Sequence, residues 1–252
     1  MDRMNADRLA AVMTDLRRHL NTSIPGSRLL CKDGAAAWIT GIPYAGYNCV
    51  WTEQPNPPGP AVGALLDEVA GAGVPFTFAL RSGSDAALVD LAAARGMQPH
   101  GEVPLMVLDA TAGIGAIRRA RGLTIRQIGP DEAPVHAKVA AAVFGGPEQK
   151  YMQNPNLMWL DGVRCYVGEA DGRPVATALS VTTGEFTAIG NVAAEPAYRR
   201  RGFGTALTAR AVADGILAGA AWCWLQASDD GYPVYRNLGF QTIETWSHWV
   251  SG

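Results

Sequence analysis

The sequence predicts an α/β fold built as two similar halves. Two observations carry this reading. Segments with apolar residues at helical spacing alternate along the chain with short strand-like apolar runs. Each half also closes in the same order: helix, strand, helix, a Gly-apolar pair, strand. The pair lies in Ala94-Arg95-Gly96-Met97 in the first half and in Asn237-Leu238-Gly239-Phe240 in the second. From the glycine after the long helix to the closing glycine is 23 residues in the first half (Gly73 to Gly96) and 20 in the second (Gly219 to Gly239). An internal duplication explains the parallel.

The first half opens with Leu9, Val12, Met13, Leu16 and Leu20 on one face of a helix over residues 6–20. Strand-like runs follow at 29–31, 36–40 and 47–52. The run Glu53-Gln54-Pro55-Asn56-Pro57-Pro58-Gly59-Pro60 ends regular structure, because proline lacks the N–H and fixes its own φ. A helix over 61–72, a strand over 74–80, a helix over 84–95 and a strand over 103–108 complete this half. Residues 110–122, rich in Ala, Gly and Arg, read as a connection.

The second half starts with a strand at 123–128. Gly129-Pro130 signals a helix start, and that helix runs from about Asp131 to Phe144. A further helical piece is expected within 147–157. Strands at 163–169 and 175–181 flank Asp171-Gly172, a hairpin turn pair, and a third strand covers 186–193. After Gly204 come a helix to Leu217, a strand at 222–227, a short helix at 231–238 and a last strand to Val250.

Bulk properties narrow the function. The chain has 252 residues, a net charge of -2 and a 48% apolar fraction, values of an ordinary globular protein. No global field draws it to nucleic acid or an anionic membrane, and neither is expected as a partner. No apolar run reaches the ~18 residues of a membrane helix. Met1-Asp2-Arg3-Met4-Asn5 leads into an amphipathic segment rather than an apolar signal core. Cys31, Cys49, Cys165 and Cys223 are scattered without paired spacing, so free thiols in a reducing cytoplasm are expected, with no metal site.

The chemistry concentrates in Tyr198-Arg199-Arg200-Arg201-Gly202-Phe203-Gly204-Thr205-Ala206-Leu207, between a strand and a helix. Glycines let main-chain N–H groups turn toward a ligand. The helix start adds unpaired donors and the positive end of a dipole, and three arginines add charge. A pyrophosphate suits such a cradle. The loop does not end Gly-Lys-Ser/Thr, as a Walker A loop does. Leu207 stands where a dinucleotide fingerprint has its third glycine.

Arg199, Gly202 and Gly204 form Arg-x-x-Gly-x-Gly. In this setting, with Glu195-Pro196 ahead of it and Tyr235 before Gly239-Phe240, the pattern resembles the acetyl-CoA loop of the GNAT N-acetyltransferase superfamily. The resemblance covers residues 123–250. It implies a mixed, mostly antiparallel twisted sheet flanked by helices, here in tandem. The first half is similar to the degenerate N-terminal lobe of tandem GNAT proteins: its loop is Asn56-Pro57-Pro58-Gly59-Pro60, and Ala92 stands where the second half has Tyr235. The implied domains are a degenerate lobe at 1–112, a linker at 113–122 and a catalytic domain at 123–252.

The resemblance also implies the site. Acetyl-CoA is the co-substrate. The strand Asn191, Val192, Ala193 and Ala194 faces its pantetheine arm, with the N–H of Val192 or Ala193 as oxyanion donor. Arg199, Arg200, Arg201, Gly202, Phe203, Gly204 and Thr205 hold the pyrophosphate. Tyr235 protonates the leaving thiolate. The family often has Asn seven residues before this tyrosine and Ala four before; here Ser228 and Gly231 stand there. Ser228 can still hydrogen-bond the pantetheine.

The implied reaction is direct attack of a primary amine, from a small molecule or peptide, on the thioester in a ternary complex. An amine of pKa ~10 must lose a proton first. The strand at 175–181 offers only Thr177 and Ser180. Glu185 is the nearest acid and the candidate base; it reads equally as a solvated turn residue, with a water relay to backbone carbonyls as the alternative. Tyr232 and His136 read as structural, His248 as packed or surface, and Arg118, Arg119 and Arg121 as a solvated linker face. Tyr151, Asn154, Asn156 and Trp159 fall where the family places a substrate-side loop. A cytoplasmic monomer or homodimer is expected. The competing reading is a non-catalytic acetyl-CoA sensor or scaffold.

Overall fold

The computed structural model describes residues 4–84, 86–114, 120–146 and 154–251. The chain forms two compact units, Met1–Leu105 with Ile243–Gly252, and Met106–Thr242.

In the first unit, α1 (Ala6–Asn21) begins at Asn5, whose side chain accepts the Arg8 N–H at 2.8 Å. Its stripe Leu9, Val12, Met13 and Leu20 is buried, as the spacing predicts. Strands β1 (Arg28–Lys32), β2 (Ala35–Ile39) and β3 (Asn48–Thr52) form an antiparallel meander. Helix α2 (Gly59–Ala70) follows the prolines and carries β4 (Thr77–Leu80) back parallel to β3. Helix α3 (Ala86–Ala93) and β5 (Gln98–Asp109) come next. The final strand, β11 (Gln241–Val250), pairs antiparallel with β4 through Ser247–Val250. The strand order is β1-β2-β3-β4-β11. Val50, Leu65, Leu66, Phe78, Leu80 and Leu88 form the core beneath α2 and α3.

The second unit repeats the plan. Strand β6 (Thr124–Ile128), helix α4 (Ala133–Phe144), the short helix α5 (Pro155–Trp159), β7 (Val163–Ala170), β8 (Arg173–Thr183) and β9 (Phe186–Ala194) come first. Then follow α6 (Phe203–Leu217), β10 (Trp222–Gln226) and α7 (Tyr232–Leu238). Strands β6 to β9 are an antiparallel meander, and α6 returns the chain to β10, parallel to β9. Each unit is thus a meander followed by one parallel crossover through a helix. This is the mixed, mostly antiparallel sheet flanked by helices expected from the sequence.

Two differences from the sequence reading have physical causes. Strand β5 begins at Gln98, five residues before the expected Val103; its first residues are exposed and include Pro99 and Gly101, so no alternation marks them. The compact units do not follow the expected domains at 1–112 and 123–252. The last residues of the chain complete the first unit, and the end of β5 belongs to the second. A strand's pattern records that it has a buried face, not which neighbour it pairs with. Of the helical piece expected at 147–157, residues 147–153 lie outside the described residues, as do Tyr151, Arg118 and Arg119.

Helix α6 lies on β9 at a glycine. A Cβ on Gly215 would stand 2.4 Å from Thr187 Oγ1 and 2.9 Å from its Cβ, so the helix can approach only because the side chain is missing. Gly215→Ala gains ~1 kcal/mol of helix propensity, but overpacking costs about 1–3 kcal/mol. Lower thermal stability is expected; a melting temperature above wild type would contradict this packing.

Candidate functional site

The ladder between β9 and β10 is short. It joins Phe186 to Trp222, Thr187 to Cys223 and Ala188 to Trp224. Beyond Ala188 the two strands part, and β9 continues to Ala194. On its other side β9 carries a bulge. Leu179 pairs with Gly190 but Thr177 with Ala193, so Asn191 and Val192 together oppose Ala178. Asn191 sits in the left-handed region at φ 51°, and its carbonyl accepts the Thr177 hydroxyl at 3.1 Å. A bulge beside the end of a ladder takes main-chain groups out of regular pairing.

The basic loop closes the same end. Arg200 (φ 60°) and Gly202 (φ 80°) are both left-handed. Gly202 precedes α6 with no side-chain cap, and the first helical bond runs from the Ala206 N–H to the Gly202 carbonyl at 3.0 Å. The N–H groups from Gly202 to Thr205 therefore have no acceptor among the described residues, and the turn at Arg199–Arg200 leads into them. Four adjacent donors at the positive end of a helix make an anion cradle. A Cβ on Gly204 would meet Val192 Cγ1 at 3.6 Å, so the cradle abuts the bulge.

Arg199, Arg200 and Arg201 are exposed around the cradle. Arg199 and Arg200 have no carboxylate partner among the described residues. The Arg201 guanidinium lies 5.0 Å from the ring centres of both Tyr198 and Phe203. Tyr198 in turn donates to Asp171 at 3.0 Å, and Arg173 pairs with Glu195 at 3.0 Å. The sequence reading missed this bracing set; Glu195-Pro196 was its only visible sign.

Tyr235 enters from the other side. The chain leaves β10 through Ser228, whose Oγ accepts the Gly231 N–H at 3.2 Å, and turns into α7. A Cβ on Gly231 would lie 2.7 Å from Tyr235 Cε2, so the tyrosine ring rests on this glycine. The ring is buried, edge-on to Phe240 with centres 6.0 Å apart, and burial pushes its pKa up to about 12. Val192, Ala194, Phe203, Tyr232 and Tyr235 all pack on one apolar cluster. Val192, Ala194, Phe203 and Tyr235 thus share one apolar cluster, Gly204 lies against Val192, and Ser228 stands with Tyr235 around Gly231.

Glu185 is not brought to them. It is an exposed turn residue whose carbonyl accepts the Ala221 and Trp222 N–H groups at 2.9 and 3.0 Å, at the start of the β9–β10 pair. Asn191 lies six residues further along the strand, about 20 Å at the usual rise. Trp159, on the expected substrate-side loop, is 73% exposed. Among the described residues no group of three His, Cys, Asp or Glu side chains could hold a metal ion, and no helix is long and apolar enough to cross a membrane.

His136, on α4, is fully buried. Its Nε2 lies 3.2 Å from the Ala178 carbonyl, which can only accept, so Nε2 carries the proton, and the buried Nδ1 has no partner among the described residues. Burial pulls its pKa down to about 4.

Residues 161–242 match the family model for the GNAT acetyltransferase domain. The chain is similar to solved structures over most of its length. A GCN5-related N-acetyltransferase from Kribbella flavida is 19% identical, with 99% of this chain and 96% of that one covered and a TM-score of 0.73. A GCN5-related N-acetyltransferase from Sphaerobacter thermophilus is 18% identical, covering 86% and 76%, with a TM-score of 0.63. A tandem GNAT protein from the clavulanic acid biosynthesis pathway is 16% identical, covering 98% and 96%, with a TM-score of 0.59. At these identities the likeness establishes the fold. No curated protein matches the chain.

The His136 environment makes a pH prediction. Its folded pKa lies below the ordinary 6.5, so its contribution to stability is complete above pH 6.5 and is lost as pH falls toward 4. The loss approaches about 3 kcal/mol. Urea midpoints should fall across this window and fall less steeply in His136→Gln; identical slopes would contradict the assignment.

Proposed function

We propose that the chain is an acetyl-CoA-dependent N-acetyltransferase acting on a primary amine of a small molecule or peptide, a reading supported by the match of residues 161–242 to the GNAT acetyltransferase domain. The observation that supports it best is the end of the β9–β10 ladder at Ala188 beside the uncapped donors of Gly202 to Thr205. A phosphate-bearing, extended co-substrate fits that combination: its pyrophosphate lies on the cradle and its pantetheine arm enters the gap along Asn191 to Ala194. Ser228 hydrogen-bonds the arm from the opposite side.

In this reading the thioester carbonyl sits against the N–H of Val192 or Ala193, which stabilises the oxyanion formed by amine attack. The intermediate collapses, the carbon–sulfur bond breaks, and Tyr235 gives its proton to the departing thiolate. A phenol held near pKa 12 keeps that proton through neutral and mildly alkaline pH. The amine's own proton leaves through water, since Glu185 stands at the far end of β9. Gly231 keeps the Tyr235 ring seated.

Release of CoA thiol on mixing acetyl-CoA with a panel of primary amines tests the reading. Tyr235→Phe should lower kcat by roughly 10²-fold with little change in acetyl-CoA affinity. Acetyl-CoA binding without any CoA release in wild type would favour a sensor instead. Neither binding nor release would sink both.

A second expectation concerns the base. Glu185→Gln should leave kcat/KM unchanged. Wild-type kcat/KM should rise about tenfold per pH unit as the free-amine fraction grows, up to the amine's own pKa. An ionisation near pH 7 that vanishes in the variant would restore Glu185 as the base.

A further inference from the structure

The bulge on β9 is held from two directions by side chains that the acyl-transfer reading leaves unused. From β8, buried Thr177 donates its hydroxyl to the Asn191 carbonyl at 3.1 Å. From α4, fully buried His136 donates Nε2–H to the carbonyl of Ala178, the residue facing the bulge, at 3.2 Å. These two hydrogen bonds grip both sides of the irregularity. Asn191 adopts a left-handed φ of 51°, a conformation that asparagine tolerates better than other non-glycine residues, and the Thr177 bond fixes its carbonyl there.

A polar group fully inside a helix–sheet interface costs stability unless it is bonded. His136 satisfies one nitrogen and leaves Nδ1 without a partner. A merely apolar contact between α4 and the sheet would be served better by leucine. The histidine's distinctive contribution is a donor at Ala178. Thr177 is likewise distinguished from valine, its near-isostere, only by the hydroxyl that meets Asn191.

We propose that His136 and Thr177 are positioning residues of the acyl-transfer site. They fix the β9 bulge so that the main chain at Asn191 to Ala193 points into the gap between β9 and β10. The inference rests on the acyl-transfer reading for its functional consequence, but the positioning itself is a property of the free protein.

The test uses four variants of the full chain: His136→Phe, His136→Gln, Thr177→Val and Thr177→Ser. His136→Phe and Thr177→Val should each lower kcat about tenfold or more and weaken acetyl-CoA binding. His136→Gln and Thr177→Ser keep a donor and should recover kcat to within about threefold of wild type. A structural role alone would move melting temperatures without this pairwise rescue, so equal kcat in the Phe and Gln variants, or in the Val and Ser variants, overturns the proposal. Amide hydrogen exchange at Asn191 to Ala193 in the unliganded protein separates the two claims. Faster exchange in Thr177→Val, restored in Thr177→Ser, supports positioning even if wild type shows no turnover with acetyl-CoA. Unchanged exchange overturns it, and should His136→Phe fail to fold, the threonine pair decides alone.

Discussion

The parting of β9 from β10 after the Ala188–Trp224 pair is the constraint on which the rest of the second unit depends. Parallel neighbours in a sheet normally continue side by side, and their main-chain groups are then used up in the ladder. Here the bulge at Asn191 and Val192 turns β9 away on one side. Gly215 lets α6 seat against Thr187 near the base of the pair. The same helix presents its uncapped start beside Val192, where Gly204 leaves room. Gap, bulge and cradle are therefore one device: moving the helix would close the gap and displace the donors together.

The first unit shows what closure looks like. Its β3 and β4 are also a parallel pair, joined from Cys49–Thr77 to Trp51–Ala79. Just past that pair, the Arg81 N–H donates to Thr52 Oγ1 at 3.3 Å and its Nη1 to the Glu53 carbonyl at 2.6 Å. Buried Arg81 also forks onto Glu244, and Trp246 donates to the same carboxylate at 2.6 Å. An ion pair this deeply buried is costly to break, because removing one partner strands the other charge. Pro57 and Pro58 in the loop before α2 and Pro60 in its first turn leave few N–H groups for an anion. Two copies of one plan thus use their parallel pair differently, one stitched shut by an arginine and one left open.

Much of this was legible in the sequence. Arg199, Gly202 and Gly204 between strand and helix, with Tyr235 ahead of Gly239-Phe240, marked the cradle and its companion, because glycine spacing and helix starts are local signals. The alternating patterns located nearly every element of the sheet. Three features were not legible. The pairing of β11 with β4 is a choice between apolar strands that periodicity cannot rank. The distance of Glu185 from the bulge follows from strand direction, which sequence proximity concealed. His136 reads as structural and Thr177 only as a polar side chain of its strand; both are buried, and the register shift opposite Ala178 shows what their polar atoms meet.

If the gap between β9 and β10 and the donors of Gly202 to Thr205 form one acyl-CoA cleft, CoA must touch both at once. Backbone amide NMR of the labelled protein titrated with CoA tests it most directly. Saturable shifts confined to Asn191–Ala194, Arg200–Thr205 and the stretch from Ser228 to Tyr235 are expected, with Asn56, Gly59 and the non-proline residues next to them unmoved. Saturable shifts clustered in the first unit, or no shifts at Arg200–Thr205 with CoA in large excess, would contradict it.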